Sequence, residues 1–286
     1  MNTVIYIDVV RNKKKMIGML IYTAAFLVVC FVLSLIIDFL FPAFNVHLDF
    51  PQAIDSFLLF YEWNEHLYIN IWNMLAFILP FVFVYLLMVG YACGIVEEEE
   101  FETLSYMRSL GIGRETIIIS KLIVRLVWSF ALCATIFLTN LIFFLILNQK
   151  KMISVVGIYS VKLFLLGLFH LTIALFIASC SIREKNSTIA CGSVILLEFV
   201  LARFHSYIRL LADGLFISGR KYNEIEWIYV LSDKIASFDI LCPVKLCYPG
   251  QSVSLSQGIC LAIIGIVFCV AGYSIHTRDR VVFRNR

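Results

Sequence analysis

The amino-acid sequence predicts an all-α integral membrane protein with six transmembrane helices, an N-terminal interfacial helix and short outer helices before the last span. Hydrophobic residues make up 61% of the 286 residues, whereas soluble domains contain about 45–50%. Only 15% of the residues are charged, and the apolar residues form runs close to the roughly 20 residues that a helix needs to cross a bilayer. We therefore expect one transmembrane domain over residues 1–286.

The apolar runs predict spans at residues 16–41, 71–96, 126–147, 155–178, 188–202 and 259–275. The fifth run is the weakest because it is short and stops at Arg203. Its length is nearer that of a broken or re-entrant segment than that of a full span. We retain it as a span because six crossings place both termini on one side, and whether it crosses fully stays open.

Charged residues near the spans predict the orientation. Residues 1–15, "MNTVIYIDVVRNKKK", combine apolar residues with a basic end, as in a helix that lies in the cytoplasmic interface. With the N-terminus inside, most of the 23 Lys and Arg residues fall on the cytoplasmic side, as the positive-inside rule requires. Both termini are therefore predicted to be cytoplasmic. The net charge of +3 follows from this asymmetry and implies no nucleic-acid partner.

Two polar segments connect the spans. Residues 97–122 form a predicted cytoplasmic loop in which Phe101, Leu104 and Arg108 recur at helical intervals. Such a stripe could enter a groove on a partner protein, and a solvated charged loop is the alternative. Residues 203–254 form the largest predicted extracytoplasmic segment, and their apolar spacing predicts short outer helices.

The motifs that would indicate an enzyme are absent from the sequence. It contains no G-x-x-x-x-G-K-[ST] phosphate loop, no H-E-x-x-H metal motif and no G-x-S-x-G nucleophile elbow. Its five histidines are scattered without metal-ligand spacing. We therefore predict no catalytic residues, no metal site and no cofactor on this chain.

A few polar residues lie within apolar runs, where ionisable groups are costly and default to functional hypotheses. His170 and Glu198 are predicted deep in spans four and five, where they could line a substrate path or form an interhelical hydrogen bond that fixes packing. Lys162 lies nearer a predicted outer end, from which its ammonium could snorkel to the interface. Cys242 and Cys247 are the candidates for a disulfide, which their spacing alone does not establish.

The loop after span two resembles the signature of the type-2 ABC transporter permease family. The matching residues are Glu99 or Glu100, Thr103, Leu104, Ile112, Arg114 and Lys121. Glu102 stands where the family commonly has Gly, and Gly111 where it commonly has Pro. The basic start, the short basic loop before span five and the long segment before span six are also similar to the family layout.

This resemblance implies an exporter of the prokaryotic plasma membrane. Two permease subunits, identical or homologous, would each contact a cytoplasmic ABC ATPase subunit that carries ATP and Mg. The residues expected to couple the permease to the ATPase are Glu99, Glu100, Phe101, Thr103, Leu104, Arg108 and Arg114. The aromatic outer segments favour a peptide or amphipathic cargo. The alternative function is a membrane sensor or immunity protein that binds a peptide without transporting it.

Overall fold

The computed structural model describes residues 2–40, 67–100, 109, 111–181, 183–218, 221–236, 243–247 and 253–277. Seven α-helices and one short 3₁₀ helix occupy these ranges, and the described residues contain no strand. The α-helices are α1 (Asn2–Leu40), α2 (Leu67–Glu100), α3 (Arg114–Ile146), α4 (Lys150–Cys180), α5 (Glu184–Ile217), α6 (Tyr222–Ala236) and α7 (Leu255–Thr277). The 3₁₀ helix is Pro243–Cys247. The predicted all-helical fold is therefore confirmed.

Six of the helices, α1 to α5 and α7, are long and apolar enough to cross a membrane. Each predicted span overlaps one of them, and only the last residues of two spans, at positions 41 and 147, lie beyond the helix ends. The helix that contains the fifth predicted span is longer than that span, since α5 continues without a break through Arg203 to Ile217. No proline interrupts residues 184–217, and one charged residue inside a helix leaves its backbone hydrogen bonds intact. The predicted outer segment at 203–254 therefore begins inside α5.

The N-terminal residues are helical, but no break separates them from the first span. α1 runs continuously from Asn2 to Leu40, and this part of the chain contains neither proline nor a turn motif that would end a helix. Residues 1–15 and the first span therefore share one helix over the described part of the chain. The interfacial position of these residues stays a prediction.

The successive crossings give the bundle two ends. The proximal end holds the start of α1 and the connection from α2 to α3, and the distal end holds the α3–α4 turn at Leu147–Gln149. Contacts between helices agree with this alternation. Near the distal end, the Tyr68 hydroxyl donates a hydrogen bond to Asn140 Oδ1 over 2.8 Å.

Helix α4 is the central element of the bundle. It packs against α2, α3, α5, α7 and the 3₁₀ helix, and its buried residues occur on every turn from Val156 to Ser179. Trp72 of α2 packs edge-on against Tyr159 of α4 with ring centroids 5.4 Å apart. The Tyr159 hydroxyl also donates to the Ala76 carbonyl over 3.1 Å. These contacts fix the register between α2 and α4.

Helix α7 packs mainly on α4, and glycine permits the closest approach. A Cβ at Gly272 would lie 2.9 Å from the backbone nitrogen of Phe176. The Ser179 hydroxyl donates a hydrogen bond across the interface to the Gly272 carbonyl over 2.7 Å. Small residues at helix interfaces allow this close packing inside membranes. Gly272 therefore sets the distance between α4 and α7 near the proximal end.

Two short helices connect α5 to α7, as the sequence predicted. α6 packs back on α5 through a small apolar cluster of Ala212, Ile225 and Ile228. The Tyr229 hydroxyl donates to Asp213 Oδ1 over 2.7 Å, and this hydrogen bond to a carboxylate raises the pKa of the Tyr229 phenol. The 3₁₀ helix instead enters the bundle, where Val244 and Cys247 are buried.

Candidate functional site

His170 and Glu198 form a buried polar pair at the centre of the bundle. His170 Nε2 of α4 lies 2.9 Å from Glu198 Oε1 of α5, and the two side chains are 0% and 7% exposed. His170 Nδ1 lies 2.9 Å from the Leu166 carbonyl, one turn earlier in α4. The structure thus brings together the two residues that the sequence proposed as a substrate path. It also contains the interhelical hydrogen bond that was the alternative for them.

The hydrogen bonds of this pair fix its proton count. A carbonyl oxygen only accepts, so His170 Nδ1 carries a hydrogen and donates to Leu166. Contact between Nε2 and Oε1 requires one further proton between them. Either a neutral imidazole accepts from a protonated carboxyl, or an imidazolium donates to a carboxylate. Both states are neutral overall, which suits a site buried among apolar helices.

The 3₁₀ helix brings a thiol close to this centre. Burial raises the pKa of the Cys247 thiol, while Lys162 lowers it and Cys133 and Glu198 raise it further. Irregular backbone inside a membrane protein persists where it is buried in protein or lines a cavity. The 3₁₀ helix packs against α2, α4 and α5, and its residues Val244, Leu246 and Cys247 are buried.

A second polar arrangement joins α2 to α3 near the proximal end. Lys121 Nζ donates to the Gly94 carbonyl over 3.0 Å, and Arg125 Nη2 donates to the Gly90 carbonyl over 2.6 Å. Both the donors and the acceptors are four residues apart, so the two bonds lie one helical turn from each other. We call these four residues the α2–α3 clamp.

Glycine lets the arginine of the clamp lie close to the helix backbone at Gly90. A Cβ at Gly90 would lie 3.0 Å from Arg125 Nη1, and a Cβ at Gly94 would lie 3.7 Å from Lys121 Nζ. The cationic groups thus reach carbonyls that a larger residue would shield. Each hydrogen bond from a charged group contributes about 1.5–3 kcal/mol. The clamp therefore holds α2 and α3 together beside the connection between them.

Sequence reasoning missed Gly90, Gly94 and Arg125 as site residues. The signal was present as "GYACG" in one helix and "KLIVR" in the next, each placing its two outer residues four positions apart. Matching intervals on neighbouring helices predict contact only when their register is known. The register depended on tertiary packing, so the two motifs could not be paired beforehand.

The predicted coupling residues flank the clamp. Glu99 and Glu100 belong to the last turn of α2 and Arg114 begins α3, although the structure describes only the backbone at these three positions. The other four coupling residues lie outside the described residues: Phe101, Thr103, Leu104 and Arg108. The clamp lies one or two helical turns from this connection, both along α2 and along α3.

Gly111 has a backbone conformation that favours glycine. Its φ is +79°, in the left-handed region that glycine enters without a steric cost. Proline is fixed near a φ of −65° and cannot adopt this conformation. Gly111 therefore allows a turn before α3 that proline at this position would not.

A thiol contact links the same end of α2 to α5. Cys93 Sγ lies 3.0 Å from the Thr188 hydroxyl, and Thr188 donates to the Glu184 carbonyl over 3.1 Å. The proximal end of α2 is thus attached to α3 on one side and to α5 on the other. Since α5 carries Glu198, helices α2 and α5 connect the clamp with the buried pair.

The remaining site predictions concern cysteines and metals. Cys242 lies outside the described residues, so its pairing with Cys247 stays a prediction. No group of three or more His, Cys, Asp or Glu side chains in the described part of the chain could hold a metal ion.

The comparisons with known proteins identify no family for this chain, so its class rests on the fold alone. Neither the protein-family models nor the curated proteins contain a match to this sequence. The described residues define an all-helical protein of the multi-pass membrane class, with six helices of spanning length and apolarity.

Proposed function

We propose that this chain is the membrane-spanning permease subunit of an ATP-driven ABC exporter. The α2–α3 clamp carries the proposal, because it makes a stiff unit of the two helices whose connection resembles the ATPase-coupling loop of type-2 permeases. Force applied at residues 97–113 would move α2 and α3 together. Without the clamp, the same force could separate the two helices.

Movement of the clamp would reach the buried centre through helix packing. α2 contacts both α4 and α5, the two helices that contribute His170 and Glu198. A change in their separation would break or remake the 2.9 Å contact of that pair. Alternating access requires two discrete packings of this kind, each favoured by a different state of the ATPase.

A second permease subunit and the lipid would cover the exposed apolar surfaces. α1 and α7 bury small fractions of their most apolar windows, 17% and 11%. Exposed residues such as Phe26 at 54% and Ile263 at 56% face away from the single chain. A homologous or identical partner would pack on part of this surface, and ATP and Mg would be bound on the associated ATPase.

Co-purification tests the assignment. The chain is purified in mild detergent from its native membrane, and a stoichiometric ATPase with ATP hydrolysis is expected. Charge reversal of Glu99 and Glu100 combined with Leu104→Ala is expected to release it. The matched control reverses two exposed glutamates of α6 at the other end of the bundle, Glu224→Lys and Glu226→Lys, and should retain the ATPase.

A stable preparation without an ATPase would contradict the proposal. The exposed apolar face of α6, with Trp227 at 64% and Val230 at 46% exposed, favours the second candidate function, a peptide sensor or immunity protein. Binding of a peptide to the ATPase-free chain, abolished by Trp227→Ala, would support that function. Size-exclusion profiles of each preparation show whether either result comes from misfolding instead.

A further inference from the structure

An apolar cavity of about 430 Å³ lies between α4, the 3₁₀ helix and α7. Ligand pockets in proteins commonly have volumes of about 300–1,000 Å³. Leu166 and Phe169 of α4 line it on one side, Leu246 and Cys247 of the 3₁₀ helix on another, and Ala262 of α7 opposite. The cavity is thus large enough for a small apolar body and adjoins the helix turn that holds His170.

The mouth of the cavity faces the surface that hydrocarbon would cover. Leu165 and Ile266 line the cavity, and they are 56% and 63% exposed. Both belong to helices of spanning length and lie well inside their ends. A ligand that enters between them would come from the bilayer and would itself be soluble there.

One end of the cavity is cationic. Among the described lining residues, the charged side chain is that of Lys162, and no acidic side chain lines the wall. Lys162 lies twelve residues into α4, roughly 18 Å from its distal end. Its side chain is half-buried, and an ammonium within a spanning helix is a functional hypothesis. A cationic side chain in the wall is complementary in charge to an anionic group on a ligand.

The charge and the apolar wall are arranged along one axis. Lys162 and Thr172 are ten residues apart on α4, so roughly 15 Å separates the charged end from the far end of the cavity. Apolar residues occupy the wall between them, including Leu166 and Phe169. A complementary ligand has an anionic head and one extended apolar tail.

We propose that this cavity binds an acyl chain of an anionic amphiphile from the bilayer, with the head group against Lys162. The binding site stands independently of the exporter assignment. The further statement that such an amphiphile is the cargo rests on the proposed function. The ligand enters between Leu165 and Ile266, its chain lies along Phe169, and the 3₁₀ helix covers it from the distal side.

Photocrosslinking of the full chain in nanodiscs tests the site. The probes are a diazirine palmitate, which is anionic, and the matching diazirine hexadecanol, which is neutral. Mass spectrometry of the digested protein is expected to find both labels on peptides of α4 and α7. Lys162→Gln should reduce labelling by palmitate about tenfold, since a charge-assisted hydrogen bond contributes that order of affinity, and Lys162→Arg should retain it.

Filling the cavity gives the matched comparison. Ala262→Trp should reduce labelling by both probes, whereas Ile263→Trp should not, because Ile263 is adjacent and exposed but does not line the cavity. Gly258→Leu is a second filling variant, at a lining glycine with no neighbour within 4 Å of an added Cβ. Size-exclusion profiles identify any variant that fails to fold.

Equal labelling of Ala262→Trp, Gly258→Leu and the wild type would overturn the site, as would labels spread evenly over all helices. Equal loss of both probes in Lys162→Gln would overturn the assignment of the head group. The assay contains no ATPase. A negative result therefore leaves the permease proposal intact, and loss of the ATPase partner leaves the labelling result intact.

Discussion

His170 Nε2 and Glu198 Oε1, from helices α4 and α5, lie 2.9 Å apart in the interior of a six-span bundle. The Leu166 carbonyl fixes a hydrogen on the other ring nitrogen, so one proton is shared by the pair. A contact of this kind can exchange between a neutral and an ionic form without changing the total charge. The contact is therefore a suitable place for α4 and α5 to have two packings of similar energy.

The first prediction concerns this shared proton. Glu198→Gln keeps a donor for His170 Nε2 but removes the exchangeable carboxyl proton. We expect normal expression and thermal stability with loss of transport, measured in proteoliposomes containing the associated ATPase. Glu198→Ala should instead lower stability by about 1–3 kcal/mol, because the buried imidazole loses a hydrogen-bond partner.

Glu226→Gln is the control for the shared-proton prediction, since Glu226 is exposed on α6. Normal transport by Glu198→Gln, at normal expression, would refute the functional role of the pair. The interhelical packing role would then remain as the explanation for its burial.

The second prediction concerns the α2–α3 clamp. Lys121→Leu together with Arg125→Leu removes both hydrogen bonds to the glycine carbonyls while keeping apolar bulk. ATP hydrolysis by the complex should continue while transport per ATP falls, because α2 and α3 can then move separately. The ratio of the two rates in proteoliposomes measures this coupling.

Lys151→Leu is the matched control for the clamp, as Lys151 is exposed at the distal end of α4. It should leave the ratio of transport to hydrolysis unchanged. An unchanged ratio in the double variant would mean that the clamp serves stability alone.

The third prediction concerns the α4–α7 interface. Gly272→Ala places a methyl group 2.9 Å from the Phe176 backbone nitrogen, so the helices must separate. Overpacking of this kind costs about 1–3 kcal/mol, and thermal unfolding in detergent should detect it. Gly214→Ala in α5 is the control because an added Cβ meets nothing within 4 Å there. That change should be neutral or stabilise by up to about 1 kcal/mol.

The fourth prediction follows from the raised pKa of the Cys247 thiol. Burial is the largest cause of that shift, and each unit by which a pKa rises lowers the thiolate fraction about tenfold. In single-cysteine variants at pH 8, maleimide should modify Cys247 more than about tenfold slower than Cys180, which is exposed. Raising the pH toward 10 should accelerate the Cys247 reaction. Equal rates for the two thiols would show that the 3₁₀ helix leaves the bundle.

Helix α5 shows what an apolar run predicts about the fold and what it does not. The apolar run after residue 187 predicted a span, and α5 contains it. The predicted end at residue 202 depended on the charge of Arg203, whereas the helix continues to Ile217. Hydropathy reports which residues prefer lipid, while a helix ends only where its backbone hydrogen bonds end.

The candidate site divides in a similar way. The burial of His170 and Glu198 could be predicted because ionisable residues in apolar runs turn toward the protein interior. Their mutual contact could not, since they are 28 positions apart and meet only through one register of α4 against α5. Arg125 and Gly90 were missed for the same reason.

The sequence by itself determined the all-helical class, the six apolar spans and the short helices before the last one, because helix formation and lipid preference are local properties of 20-residue runs. Only the tertiary structure decided which polar groups face each other across helices, and that the 3₁₀ helix enters the bundle to close a cavity. Those features depend on the rotation and depth of each helix against its neighbours, which are set by side-chain packing between distant segments.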